Sequence, residues 1–148
     1  MPTTTPGPST PADLLRAQGL RVTRPRVAVL HALEGHPHSG VEQLRSVVIE
    51  DVGQVSVQTM YDVLATLTET DLVRRVEPAG SPALFELNAG DNHHHVVCRS
   101  CGRVEDVACA TGSKPCLHPA PGLGFVVDEA EVTWWGYCAD CATARVQP

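Results

Sequence analysis

Ser56-Val57-Gln58-Thr59-Met60-Tyr61-Asp62-Val63-Leu64-Ala65-Thr66-Leu67, followed by Leu72-Val73-Arg74-Arg75-Val76-Glu77, is where the apolar period of the chain changes. In the first part Met60, Val63, Leu64 and Leu67 recur at the spacing of one buried helix face. Ser56 precedes them as an N-cap, and Gln58, Thr59, Tyr61 and Asp62 fall on the outer face. In the second part, residues 72–77 and 83–87 read as strands around Pro78-Ala79-Gly80-Ser81-Pro82, a turn composition, so a β-hairpin is predicted. Upstream, Thr10-Pro11-Ala12-Asp13 carries an N-cap, a first-turn proline and an acidic third position, opening a short helix that stops at Gly19. Thr23 with Pro25 opens the next helix, whose inner side is Val27, Leu30 and Leu33 and whose stop is Gly35. Ser39-Gly40-Val41-Glu42 reads as a capping box before a third periodic run, Val41, Leu44, Val47 and Val48. Helices followed by a hairpin are the order of a winged helix-turn-helix, in which the fourth helix would enter a DNA major groove. The same order also describes a small α+β domain with no nucleic-acid role.

Composition narrows the partners. The chain has 148 residues and a net charge of −6, with only two each of Phe, Trp and Tyr. Residues 1–90 carry 7 basic and 10 acidic side chains and residues 91–148 carry 4 and 7, so each part sums to −3. This charge argues against bulk attraction to nucleic acid, and DNA binding must come from a local basic cluster, as a dimer could provide. No apolar run approaches the ~20 residues of a membrane span, and the N-terminus lacks the pattern of a secretory signal. A cytoplasmic location is the expectation, and there paired cysteines more often hold metal or do redox chemistry than form disulfides. The Thr/Pro-rich start predicts a disordered tail over 1–12, then a DNA-binding domain over 13–89 and a second domain over 90–148 beyond the Gly90-Asp91-Asn92 linker.

The second half holds the metal chemistry. Cys98-Arg99-Ser100-Cys101 and Cys138-Ala139-Asp140-Cys141 are two CxxC units with 36 residues between them. Two such turns aim four sulfurs at one point, a tetrahedral thiolate set that suits Zn²⁺; a pair of redox dithiols or plain core cysteines are the alternatives. His93-His94-His95-Val96-Val97-Cys98 reads as a strand in which His93 and His95 share one face and His94, Val96 and Cys98 the other. With Asp106 from a following strand, two imidazoles and a carboxylate suit Fe²⁺, Mn²⁺, Co²⁺ or Zn²⁺, while an exposed polar strand is the bland reading. Residues 93–97, 104–107 and 125–137 are the expected strands. Cys109 and Cys116 are left over, as a thiol switch or as inert buried thiols.

On these residues the chain resembles the ferric uptake regulator (Fur) family of metal-dependent repressors. The resemblance runs from Asp13 to Ala142, through Arg21-Val22-Thr23-Arg24-Pro25-Arg26, Thr59-Met60-Tyr61-Asp62-Val63-Leu64, Phe85-Glu86-Leu87, His93-His94-His95-Val96-Val97-Cys98-Arg99-Ser100-Cys101-Gly102 and Gly136-Tyr137-Cys138-Ala139-Asp140-Cys141. Asp91-Asn92-His93-His94-His95 and Asp106-Val107-Ala108-Cys109 are similar to the FurA branch, redox-responsive repressors associated with catalase-peroxidase genes. The resemblance implies an α+β protein: an N-terminal winged helix followed by a small α/β dimerisation domain with a Cys₄ zinc site. It implies structural Zn²⁺ on Cys98, Cys101, Cys138 and Cys141. A regulatory Fe²⁺ or Mn²⁺ site (Zn²⁺ in vitro) is implied on His38 rather than His36, with Glu86, His93, His95 and Asp106. DNA contacts are expected from Arg21, Gln58, Thr59 and Tyr61, and redox thiols from Cys109 and Cys116. Tyr137 and Asn92 stand where some members carry ligands of a third site, so none is expected here. Asp71 stands where a glycine is usual, and Asp62 where some members have Arg.

Three functions compete at this point. The first is a metal-dependent, redox-sensitive repressor that binds a palindromic operator as a homodimer and controls oxidative-stress or iron genes. The second is a zinc-responsive uptake regulator of the same superfamily. The third is a metalloenzyme using His93, His95 and Asp106, which lacks a candidate general base outside the ligand set. Neither membrane nor small organic substrate is expected as a partner.

Overall fold

A computed structural model describes residues 9–91, 93–108, 124–127 and 130–146. The chain divides after Ala89 into two compact units. The first unit contains α1 (Pro11–Ala17), α2 (Arg24–Gly35), α3 (Val41–Val52), α4 (Val57–Glu69), β1 (Val73–Val76) and β2 (Leu84–Leu87). The second contains β3 (His94–Cys98), β4 (Val104–Val107), β5 (Thr133–Gly136) and α5 (Ala139–Val146). The first eight residues of the expected tail lie outside the described residues, as do Cys109 and Cys116.

Local chemistry accounts for most helix ends. Thr10 and Asp13 form a reciprocal capping box, so α1 takes in Pro11 and Ala12, which the tail boundary had excluded. The Thr10 hydroxyl and backbone N–H both bond the Asp13 carboxylate and hold its pKa below the usual value. The Ser56 hydroxyl accepts from the Thr59 N–H at 3.0 Å and caps α4. Two caps differ from expectation. Thr23 occupies the N-cap of α2 without a side-chain bond. Ser39 does not cap α3; Gly40 does, with no capping box. The reason is that the Ser39 backbone is already engaged, exchanging both bonds with Phe85 at 3.2 and 2.9 Å, while its hydroxyl donates to the His36 carbonyl.

The first unit is built around one apolar cluster. Leu15, Leu30, Leu33, Leu44, Met60, Leu64 and Leu67 are fully buried, joined by Val73 and Phe85 of the hairpin. Each buried Leu or Met contributes roughly 1.5–3 kcal/mol of transfer free energy. β1 and β2 pair antiparallel, with Arg74 opposite Glu86, and Ser39 extends this sheet by a bridge to Phe85. Asp71 takes φ 57° between α4 and β1, a left-handed turn that Asp tolerates better than most residues.

The second unit is a three-stranded sheet in the order β4-β3-β5, with β3–β4 antiparallel and β3–β5 parallel. The strand expected over 125–137 is shorter: among the described residues only Thr133–Gly136 is paired. α5 is not among the elements expected from the sequence; the segment Ala139–Val146 is only eight residues long and buries no side chain.

Candidate metal centres and nucleic-acid interface

In the second unit, β3 carries candidate ligands on both of its faces. Its alternation turns His94 toward Trp134, with ring centroids 5.9 Å apart, and lets the Val132 N–H donate to His94 Nδ1 at 3.2 Å. His93 and His95 sit together elsewhere, with ring centroids 5.0 Å apart. His95 lies directly opposite Asp106 in the β3–β4 register. Asp106 Oδ1 is 3.5 Å from His93 Nε2 and 3.5 Å from His95 Nε2, so three donor atoms converge. Ligands about 2.1 Å from one ion stand roughly 3.0–3.5 Å apart, so the separation fits a shared cation.

Asp91 is the residue that sequence reasoning missed. Its Oδ1 lies 2.7 Å from His93 Nδ1. An ionised carboxylate only accepts, so Nδ1 is the donor here, and in the neutral form of the ring the lone pair lies on Nε2, the nitrogen facing Asp106. Carboxylates that orient metal-binding histidines act this way. The signal in the sequence is the i, i+2 spacing from Asp91 to His93.

Cys98 ends β3, and the turn after it returns through Gly102 at φ 76°, where a side chain would be strained. The Cys98 N–H donates to the Arg103 carbonyl at 2.9 Å and closes the turn. β5 runs parallel beside β3 with Gly136 opposite Cys98, so the chain arrives at Cys138 next to the first CxxC. Cys141 then lies in the first turn of α5. The four Sγ atoms lie within 4.8 Å of one another, and Cys101 and Cys138 are 3.8 Å apart. A tetrahedron with metal–sulfur bonds of ~2.3 Å has edges of about 3.8 Å, so the sulfurs fit Zn²⁺.

The thiols also divide electrostatically. The Cys101 N–H, then that of Cys138, draws the Cys98 pKa down to about 6. For Cys141 the Ser100 hydroxyl favours the thiolate, but Cys138, Cys101, burial and Cys98 together push it up to about 12. Four adjacent thiols resist complete ionisation without a cation, and a bound cation removes that resistance.

The first unit carries a separate pair. The Ser39–Phe85 bridge brings the preceding His38 beside the following Glu86, with Nε2 2.8 Å from Oε2. His38 holds φ 57°, an unusual conformation for a residue with a side chain. His36 is instead the C-cap of α2. His38, not His36, therefore meets a carboxylate.

The expected DNA face is partly presented. Tyr61 is exposed, as are Gln58 and Asp62, on the solvent side of α4. Gln58 Nε2 donates to Asp62 Oδ1 at 2.9 Å. Thr59 is half-buried, its hydroxyl 2.9 Å from that of Ser56, so it serves the helix start as well as the outer face. Arg21 is exposed before α2, and Arg26 Nη1 donates to the Arg21 carbonyl at 2.8 Å.

A model of the ferric uptake regulator family matches residues 17–119. Transcriptional regulator FurA of Mycobacterium tuberculosis (strain ATCC 25618 / H37Rv) is 51% identical over 140 residues, spanning 93% of this chain and 95% of that protein. Ferric uptake regulation protein 1 of Mycolicibacterium fortuitum is 52% identical over 132 residues, 89% of this chain and 80% of that one. The manganese-containing structure of the Pseudomonas aeruginosa ferric uptake regulator matches with a TM-score of 0.70 at 29% identity, over 86% of this chain and 96% of that chain. These relatives are named as regulators, not enzymes, which sets the metalloenzyme reading aside. With a family match over most of its length and relatives at half identity, the chain belongs to the ferric uptake regulator family of metal-responsive transcriptional regulators.

Proposed function

We propose that the chain is a metal-dependent, redox-sensitive repressor of the cytoplasm, binding a palindromic operator as a homodimer and controlling oxidative-stress (catalase-peroxidase) or iron genes. Cys98, Cys101, Cys138 and Cys141 hold structural Zn²⁺. His38 and Glu86 from the first unit join His93, His95 and Asp106 from the second around one regulatory Fe²⁺ or Mn²⁺. Tyr61, Gln58 and Thr59 enter the major groove, and Arg21 contacts the backbone or the minor groove. The second unit forms the dimer.

The observation that carries this reading is the Ser39–Phe85 bridge, which holds the His38–Glu86 pair between the start of α3 and the wing hairpin. An ion on that pair acts directly on the elements that frame α4. Divided ligands make a switch, because an ion gripping both sets stabilises one arrangement of the units over others. Moving a population from 1:99 to 99:1 takes about 5.5 kcal/mol of differential binding, within reach of several ligands gained or lost together.

The test is a gel shift on genomic DNA fragments with and without Fe²⁺ or Mn²⁺. His38→Ala is expected to keep the fold, the zinc and the dimer but lose metal-enhanced DNA binding, since it is the one proposed ligand that precedes α4. Wild-type enhancement retained in His38→Ala would refute the switch.

A further inference from the structure

We infer that Gln58 and Asp62 form a single reading unit on α4 that selects base pairs presenting an exocyclic amino group in the major groove, cytosine N4 or adenine N6. The inference rests on the DNA-binding reading above. Both side chains are exposed on the same side of α4 as Tyr61, one turn apart. Gln58 Nε2 donates to Asp62 Oδ1 at 2.9 Å.

The chemistry of that bond decides what the pair offers. An ionised carboxylate only accepts, so the Gln58 amide must turn its nitrogen to Asp62, which fixes the orientation of the carboxamide. One amide hydrogen is consumed and the other stays available as the pair's single donor. The Gln58 carbonyl oxygen and the rest of the Asp62 carboxylate remain as acceptors. A glutamine alone offers a donor and an acceptor and suits adenine; tied to Asp62, the couple becomes dominated by acceptors. Acceptors complement the amino donors of cytosine and adenine, and they oppose guanine O6 and N7 and thymine O4.

The carboxylate also carries a cost that sharpens selection. Close to phosphates it is repelled on every sequence, and only a base donating to it offsets that repulsion. Asp62 therefore discriminates by penalising wrong sites as much as by rewarding right ones. Anchoring also removes rotamer freedom from Gln58 before DNA arrives, lowering the ordering cost of contact.

The experiment is selection from randomised duplex DNA by the metal-loaded full chain, comparing wild type with Asp62→Asn and Gln58→Ala. Wild type is expected to enrich a motif with cytosine or adenine fixed at one position of each half-site, favoured roughly 5- to 150-fold over guanine or thymine. Asp62→Asn, which restores a donor, is expected to relax that position alone and to tighten binding to non-cognate duplex. Gln58→Ala is expected to weaken the same preference without altering the rest of the motif. An enriched motif that both variants share unchanged overturns the inference and leaves the repressor reading standing. Wild type that enriches no motif overturns both.

Discussion

Cys101→Ser should unfold the second unit while leaving the first folded. The two units differ in what holds them. The first buries fifteen apolar side chains in one cluster. In the second, among the described residues, the buried apolar side chains are Val97, Cys98 and Val104. Full burial of Val97 and Val104 is worth roughly 1.5–3 kcal/mol each. Ordering a backbone costs about 1–2 kcal/mol per residue, so those two valines offset only a handful of residues. A closed thiolate zinc supplies apparent free energies of about 10–16 kcal/mol in small zinc-binding peptides, a contribution of the size the second unit lacks. Replacing one of four thiolates with a hydroxyl opens the cage and removes most of that. The assay is built into the sequence, because both tryptophans, Trp134 and Trp135, lie in β5. Arg99 lies over the Trp135 ring at 5.2 Å and Trp134 meets His94 edge to face, so their emission reports the second unit. Far-UV dichroism is dominated by α1 to α4 of the first. Cys101→Ser, or prolonged chelation of wild type, is expected to red-shift tryptophan emission and abolish dimerisation while keeping most helical signal. Unchanged emission and a dimer that survives metal removal in Cys101→Ser would refute the staple.

Two further outcomes are expected. Leu64→Ala, which opens a cavity between α4 and the rest of the fully buried cluster, should cost about 2–5 kcal/mol in urea unfolding followed by far-UV dichroism, and a loss below 1 kcal/mol would show that the site relaxes. Peroxide should lower DNA binding by the Fe²⁺-loaded chain; recovery with a thiol reductant assigns the effect to Cys109 and Cys116, absence of recovery assigns it to ligand histidines, and undiminished binding refutes redox control.

Much of this architecture is legible in the sequence because the first unit obeys local rules. Met60, Val63, Leu64 and Leu67 are all buried, and Ser56 caps their helix as its position demands. The two CxxC units meet because β3 and β5 are adjacent and parallel, which places their C-terminal ends together. The misreadings come from non-local competition. Ser39 followed by Glu42 has every mark of a capping box, yet Phe85, far along the chain, claims the Ser39 backbone first. No window around Ser39 contains that information. α5 is hidden for another reason: eight residues give too short a window for a period to be read, and the turn after Cys138 commits its start. Asp91 was in view but unassigned, since an acidic residue near histidines gains meaning only when its oxygen is found at Nδ1 and not at Nε2.

If both proposed metal sites hold, the placement of the two donor types along residues 93–98 explains how one short stretch would serve two metals. His93 and His95 belong to one parity and Cys98 to the other, so those two imidazoles and the Cys98 thiolate cannot be drawn into a single mixed site without a one-residue slip of β3. Pairing on both sides, with β4 and with β5, opposes such a slip. The separation matters because Zn²⁺ outcompetes Mn²⁺ and Fe²⁺ at most nitrogen and oxygen sites. Softness then sorts the ions: four sulfurs at tetrahedral spacing take the thiophilic Zn²⁺, whereas the imidazole and carboxylate set has no thiolate to favour it. On the proposed reading, occupancy of the N/O site would follow the supply of exchangeable ion, which is the property a sensor needs, while a closed cage retaining its zinc would keep the sheet beneath that site intact. An N/O site that retained its ion through chelation as strongly as the cage would contradict this division. Competitive chelation of the doubly loaded chain, with metal release measured ion by ion, would show it.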